Sequence, residues 1–205
     1  MPRVTGWLLA GGEGRRMQGQ DKGLVNYQGH PLATWVLNTL YAQCAQVRIS
    51  ANRNLPRYQQ LMRVGEECDA TQGVYPDDTD LQGQQGPLAG IITAMRHTDT
   101  DWLMIAPCDT PHLPKNLVER LMQEALQTGA DIVIPCTQSG TKDERHHWVC
   151  GLIRKRICTE TMERFVNGER KVGNWVQSQH WARVSFPESA AFANLNTLEA
   201  LRDQP

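Results

Sequence analysis

Short apolar runs alternate along the chain with longer stretches in which apolar side chains recur every three or four positions. Val4 to Ala10 reads as a strand, its start diluted by Thr5 and Gly6. Pro31 at a first-turn position, followed by Leu32, Trp35, Val36 and Leu40, gives a helical stripe. Val47, Ile49 and Ala51 alternate as a second strand that ends at Asn52. Pro87 then opens a short amphipathic helix on Leu88, Ile91, Ile92 and Met95. Trp102 to Ala106 is a continuous apolar run of strand length, bounded by Pro107. Beyond Pro114, the positions Leu117, Val118, Leu121, Met122, Ala125 and Leu126 fall at helical spacing, and Ile132, Val133 and Ile134 form the next strand. Strand and helix alternate throughout, which predicts an α/β fold with a mostly parallel central sheet covered on both faces.

The remainder is less regular. A polar stretch from Thr137 to His147 precedes a strand at Trp148 to Ile153, helical patterns over 157–166 and 172–179, and a strand at Ala182 to Phe186. The ending Asn194-Leu195-Asn196-Thr197-Leu198-Glu199 has the form of a helix start, with Asn196 capping and Glu199 three residues on. No internal repeat or low-complexity linker divides the 205 residues, so a single domain over 1–205 is expected.

Charge narrows the partners. The 21 Lys and Arg against 22 Asp and Glu leave a formal net charge of -1, which argues against a general nucleic-acid or anionic-membrane binder. A small phosphorylated ligand needs only a local basic loop and stays open. The six cysteines are scattered, with no C-x-x-C pair and no zinc-ligand spacing. No basic N-terminal region leads into a long apolar run, and no stretch has bilayer-spanning length. The expectation is a reduced, cytoplasmic protein with neither nucleic acid nor membrane as partner.

In a parallel α/β sheet, ligands bind beyond the carboxyl ends of the strands, and three loops of that kind carry chemistry here. The first is Leu9-Ala10-Gly11-Gly12-Glu13-Gly14-Arg15-Arg16-Met17, continued by Gly19-Gln20-Asp21-Lys22-Gly23. Glycines after a strand let backbone N–H groups approach a phosphate or a base, and Arg16 and Lys22 can offset polyphosphate charge. The pattern is not a P-loop, which places Lys and Ser/Thr directly after its second glycine. It is not a dinucleotide fingerprint either, because the second strand ends in Asn52 where a ribose-binding acid belongs. Alone, such a loop serves equally as a turn that needs positive φ.

The second loop, Ala106-Pro107-Cys108-Asp109-Thr110-Pro111, puts a carboxylate at the end of a buried strand, where it suits Mg²⁺ together with substrate phosphates. A turn or capping role for Asp109 is equally open. Cys108 lacks an evident histidine partner and reads as packing. The third region is Asp77 with Gly86-Pro87-Leu88-Ala89-Gly90, where backbone can approach a ligand as the next helix begins. The acidic run Asp77-Asp78-Thr79-Asp80 taken by itself reads as a solvated loop. The order of these elements along one chain says more than any one of them.

Leu-Ala-Gly-Gly followed by Arg-Arg-Met and Asp-Lys-Gly, then Ala51-Asn52-Arg53, Gly86–Gly90, Pro107-Cys108-Asp109-Thr110-Pro111 and Asn194-Leu195-Asn196-Thr197, resembles the molybdenum cofactor guanylyltransferases from Gly6 to about Leu201. The resemblance implies a Rossmann-like nucleotide-binding fold of the nucleotidyltransferase type. It also implies transfer of GMP from GTP to molybdopterin carrying molybdenum, with release of pyrophosphate and Mg²⁺ as cofactor. On that resemblance Leu9, Ala10 and Gly11 line the guanine nucleotide, and Lys22 contacts its phosphates. Asn52 and Asp77 complete the GTP contacts, and Asp109 binds Mg²⁺ with the nucleotide. Asp78 or Asp80 could take the place of Asp77. Arg16, Lys22 and Asp109 are the implied catalytic set.

The implied partners are GTP and a molybdopterin-type cofactor, with cofactor-synthesis proteins or recipient molybdoenzymes as protein contacts. The chain departs from the family at His147-Trp148, where His-Pro is frequent, and at Thr197-Leu198, where Thr-Pro is frequent. His147 accordingly reads as an exposed loop histidine. Competing readings are a relative that uses CTP or a sugar-1-phosphate acceptor, and a non-catalytic nucleotide-binding module. The cytidine-type relatives tend to carry Leu-Ala-Ala-Gly at the first loop, and Gly11 leaves room where alanine would place a methyl group. Retention of Lys22 and Asp109 argues for catalysis.

Overall fold

A computed structural model describes residues 2–10, 20–62, 73–81, 86–139 and 143–195. Among these, eight strands form one sheet. The chain runs β1 (Val4–Leu9), a hairpin of β2 (Asn26–Tyr27) and β3 (His30–Pro31), α1 (Leu32–Tyr41), β4 (Gln46–Ser50), α2 (Leu55–Met62), β5 (Val74–Tyr75), α3 (Pro87–Arg96) and β6 (Trp102–Pro107). It continues through α4 (Leu117–Thr128), β7 (Ile132–Ser139), β8 (Asp143–His146), β9 (Gly151–Arg154), α5 (Cys158–Val166), α6 (Val172–Gln177) and β10 (Trp181–Phe186). The strand order is β10-β7-β9-β6-β1-β4-β5, with β8 paired to β7 and the two-residue β2–β3 ladder separate.

β1 lies at the centre, parallel to β4 on one side and to β6 on the other. All six of its residues are buried, because helices cover both faces and the strand alternates between two apolar layers. Leu8, Met104 and Ile49 face the layer that holds α1 and α4. Trp7, Leu9, Leu103 and Ile105 face the layer of α3, α5 and α6. This two-sided burial is why Trp102 to Ala106 is an unbroken apolar run. β4 is the exception on one face: between Val47 and Ile49 it buries Arg48, whose guanidinium pairs with Asp99 at 2.5 Å and lies 5.9 Å and 5.7 Å from the ring centroids of Trp7 and Tyr75.

The irregular second part departs from the sequence expectation in two places. The strand expected from Trp148 begins only at Gly151; residues 148–150 form a turn closed by the Cys150 N–H on the His147 carbonyl at 2.9 Å. At that turn the Trp148 ring packs at a tilt against His146 and Trp181, with centroids 4.7 Å and 5.8 Å away. The polar stretch from Thr137 holds the end of β7 and all of β8, which pair antiparallel from Cys136↔His146 to Ser139↔Asp143. β9 is antiparallel to both β6 and β7 and sits between them, so the sheet is mostly and not wholly parallel. α2 is a helix beyond those the apolar pattern predicts; Leu55, Tyr58 and Met62 carry its helical spacing. The helix start expected at Asn196 lies outside the described residues. No helix among the described residues is long and apolar enough to cross a membrane.

Candidate functional site

The carboxyl ends of β4, β1 and β6 lie side by side, with Leu9 in register with Ser50 and with Pro107. The ladder runs slightly further, since the Ala10 N–H donates to the Ser50 carbonyl at 2.8 Å and the Cys108 N–H donates to the Leu9 carbonyl at 3.1 Å. Leu9 and Ala10 therefore leave the sheet flanked by the segments that carry Asn52 and Asp109. Gly11 and Arg16 lie outside the described residues.

Asp109 stands two residues beyond the end of β6 and is largely buried. Lys22, on the 3-10 turn Lys22–Leu24, brings its Nζ to 3.2 Å from Asp109 Oδ2. The two residues are 87 apart in sequence. The same carboxylate oxygen accepts from Asn194 Nδ2 at 3.5 Å, and the Asp109 carbonyl accepts from the Leu195 N–H at 2.9 Å. Asn194 and Leu195 thus close over the β6 end from the last described segment of the chain. In sequence Asn194 is only part of a closing motif; its contact with Asp109 is a tertiary fact.

Asn52 and Asp77 form the second half. Asn52 Nδ2 donates to Asp77 Oδ2 at 2.8 Å, and the Asp77 backbone N–H donates to Asn52 Oδ1 at 2.8 Å. Burial raises the Asp77 pKa above the ordinary carboxylate value, Asn52's hydrogen bond opposes that rise, and nearby Asp78 adds to it. The neighbouring acids are engaged elsewhere. Arg96 bonds Asp78 at 2.9 Å and holds Asp80 in a fork at 2.8 Å and 2.9 Å, while His97 Nε2 lies 2.8 Å from Asp78. The acid that faces Asn52 is Asp77.

The Gly86–Gly90 segment opens α3. Gly86 has φ +126°, which a side chain disfavours, and Pro87 occupies the first turn. A Cβ on Gly90 would lie 3.0 Å from Ser50 Oγ and 3.6 Å from Asp77 Oδ1, so the absent side chain lets α3 approach the β4 end. Cys108 is buried, and that burial, with Asp109 and Asp21 close by, drives its thiol pKa far up. A thiol held protonated in this way is no nucleophile, in agreement with the packing role read from the sequence.

His147 is half-buried and not exposed. It stacks on Phe192 with centroids 4.6 Å apart and rings 24° from parallel, and its Nε2 is 3.0 Å from Thr137 Oγ1. Among the described residues no group of three or more His, Cys, Asp or Glu side chains could hold a metal by itself. A cation in this site would take its remaining ligands from phosphates and water, as Mg²⁺ commonly does.

The model of the MobA-like NTP transferase domain matches residues 6–184. The chain belongs to the MobA-like NTP transferase family. It is 37% identical over 202 residues to a molybdenum cofactor guanylyltransferase of Bordetella petrii, covering 98% of this chain and 97% of that one. It is 39% identical to the enzyme of the same name from an Acidovorax species, covering 97% and 93%. The solved structure of molybdopterin-guanine dinucleotide biosynthesis protein A from Archaeoglobus fulgidus superposes with a TM-score of 0.72 at 22% identity, covering 97% and 95% of the two chains. That likeness speaks to the fold. As a member of the family this protein is a nucleotidyltransferase, and the Lys22–Asp109 and Asn52–Asp77 pairs stand at the carboxyl ends of the strands, the side of an open α/β sheet on which ligands bind.

Proposed function

We propose that this protein transfers GMP from GTP to the molybdenum-molybdopterin cofactor, forming the guanine dinucleotide form of the cofactor and releasing pyrophosphate. The observation that carries the reading is the Lys22–Asp109 pair. An ammonium and a carboxylate 3.2 Å apart at the β6 end match the two charges of a metal-bound polyphosphate, anionic oxygens for one and a divalent cation for the other. Relatives of this similarity named molybdenum cofactor guanylyltransferases support the choice of GTP and of a molybdopterin-type acceptor. The chain acts in this reading as one domain over 1–205, in the cytoplasm, with cofactor-synthesis proteins or recipient molybdoenzymes as its protein partners.

Leu9, Ala10 and Gly11 line the nucleotide, Asn52 and Asp77 complete its contacts, and Lys22 and Arg16 face the phosphates. An acceptor phosphate oxygen attacks the α-phosphorus of GTP; the α–β phosphoanhydride bond breaks and its electron pair leaves with pyrophosphate. The attacking oxygen is already anionic, so no general base is needed. Positioning and charge stabilisation supply the catalysis. Asp109 offers the hard oxygen donor that Mg²⁺ prefers, and when bound the ion neutralises charge on the phosphate oxygens.

Turnover measured with GTP and with CTP against the pterin cofactor tests the proposal. Pyrophosphate release that depends on the acceptor and strongly favours GTP is expected. Equal or better use of CTP would reject the guanylyl assignment, and nucleotide binding without turnover would reject the catalytic one.

A further inference from the structure

We propose that Tyr58 is a positioning residue for Lys22, acting by pinning both of the lysine's chain neighbours. The inference rests on the reading of Lys22 as a phosphate contact. Lysine carries a long flexible stem, so where its ammonium can reach depends on how firmly its backbone is anchored. Here one buried phenol reaches the residues on both sides of the lysine. Tyr58 lies on α2 and is 0% exposed. Its hydroxyl donates to Asp21 Oδ1 at 2.6 Å, on the residue before Lys22. On the residue after, a Cβ added to Gly23 would lie 2.4 Å from the same hydroxyl oxygen and 3.2 Å from the ring carbon that bears it. The phenol therefore occupies the space that a side chain at position 23 would need.

Asp21 is itself a buried carboxylate with its needs met. Its Oδ2 accepts from Asn54 Nδ2 at 2.9 Å and lies 3.6 Å from Arg53 Nε. Asn54, the residue before α2, has φ +54°. The carbonyl of Asp21 accepts from the Leu24 N–H at 3.0 Å, which closes the turn that carries Lys22. A charge-assisted hydrogen bond in a buried setting is strong, and losing one partner leaves the carboxylate poorly satisfied. Burial holds the Tyr58 hydroxyl protonated, so it remains a donor. The segment from Asn52 to Tyr58 thereby serves both halves of the site: Asn52 meets Asp77, and Asn54 and Tyr58 fix the turn under Lys22.

A merely structural tyrosine would affect the enzyme regardless of Lys22, so the test is a double-mutant cycle. Tyr58→Phe keeps the ring and removes the hydroxyl. It is expected to lower kcat/KM for GTP by about 10–100-fold, the scale of a misplaced catalytic group. In a Lys22→Ala background the same change should alter kcat/KM and the Kd for GTP by no more than about twofold, because two residues that act through one group are coupled and the second loss has nothing left to remove. Gly23→Ala, which drives a methyl group into the phenol from the other side, is the second variant and should show the same dependence on Lys22. Equal losses in both backgrounds, or no loss on removing the hydroxyl, overturn the proposal. Should Lys22→Ala alone leave GTP binding and turnover unchanged, the reading of Lys22 itself falls, and the proposal falls with it for that separate reason.

Discussion

Asn52 and Asp77 hold each other in both directions, the side-chain amide donating to the carboxylate and the Asp77 backbone N–H donating to the amide oxygen, each at 2.8 Å. The reciprocal pairing fixes which way the amide points. It also extends the β4–β5 pairing past its last ladder bond, the Ala51 N–H on the Tyr75 carbonyl at 2.9 Å, to residues 25 apart in sequence.

Asn52→Asp is expected to be worse than Asn52→Ala at neutral pH. Two carboxylates at hydrogen-bond distance repel, and the backbone N–H alone cannot hold them together. Such a pair shares a proton as pH falls, so the excess loss should shrink toward acid. KM for GTP, measured at pH 8 and at pH 6, reads this: a rise of about tenfold or more at the higher pH is expected, from the loss of roughly 1.5–3 kcal/mol per charged hydrogen bond. A pH-independent loss would reject repulsion between the two carboxylates, and an unchanged KM would place Asn52 outside the nucleotide contacts.

Asp109→Ala should abolish most turnover while leaving the fold intact. The carboxylate stands beyond the carboxyl end of β6 and outside both apolar layers, and removing a key electrostatic group typically costs about 10²–10³ in rate or more. Lys22→Ala should impair both GTP binding and turnover, and Lys22→Arg should rescue only in part, because a planar fork does not replace a point charge. Steady-state kinetics at saturating Mg²⁺, with circular dichroism to confirm folding, is the measurement.

His147 makes stability fall in acid. Burial, and then the nearby charges of Arg145 and His146, push its pKa down from 6.5 to about 4. The folded state therefore favours the neutral ring, while the unfolded chain takes up a proton near the ordinary value. The stabilisation is full above pH 6.5 and is lost progressively as pH falls from there towards 4. Each kcal/mol lost should lower Tm by about 2–4 °C for a chain of this size. His147→Gln should flatten that part of the Tm-against-pH curve; an unchanged slope would assign the acid sensitivity to other groups.

Gly151→Ala should destabilise the sheet without touching the chemistry. A Cβ there would lie 2.9 Å from the Val133 carbonyl oxygen and 3.1 Å from Ile134 Cγ2, between two strands that cannot separate cheaply. Overpacking of this kind costs about 1–3 kcal/mol. Thermal unfolding should show the loss, with kcat at a temperature well below Tm unchanged. A variant as stable as the parent would mean that β7 and β9 yield more readily than their pairing implies.

The strands at Val4, Val47 and Trp102 and the helices at Leu32, Leu88 and Leu117 are legible in the sequence because burial imposes periodicity, and periodicity is a local property of the chain. Asp109 at the end of a buried run is legible for the same reason. Other features depend on which segments meet. β9 inserts antiparallel between β6 and β7, a choice that no pattern within Gly151–Arg154 records. Asp77, Asp78 and Asp80 are alike as residues; Arg96 and His97, at the end of α3, take the second, and Arg96 also takes the third, while Asn52 meets the first. Asn194 reaches Asp109 across 85 residues, and Tyr58 reaches Asp21 across 37. Composition and spacing determined which residue types stand at the strand ends. Only packing decided their partners, because a side chain's partner is set by where the chain returns in space and not by what lies beside it in sequence.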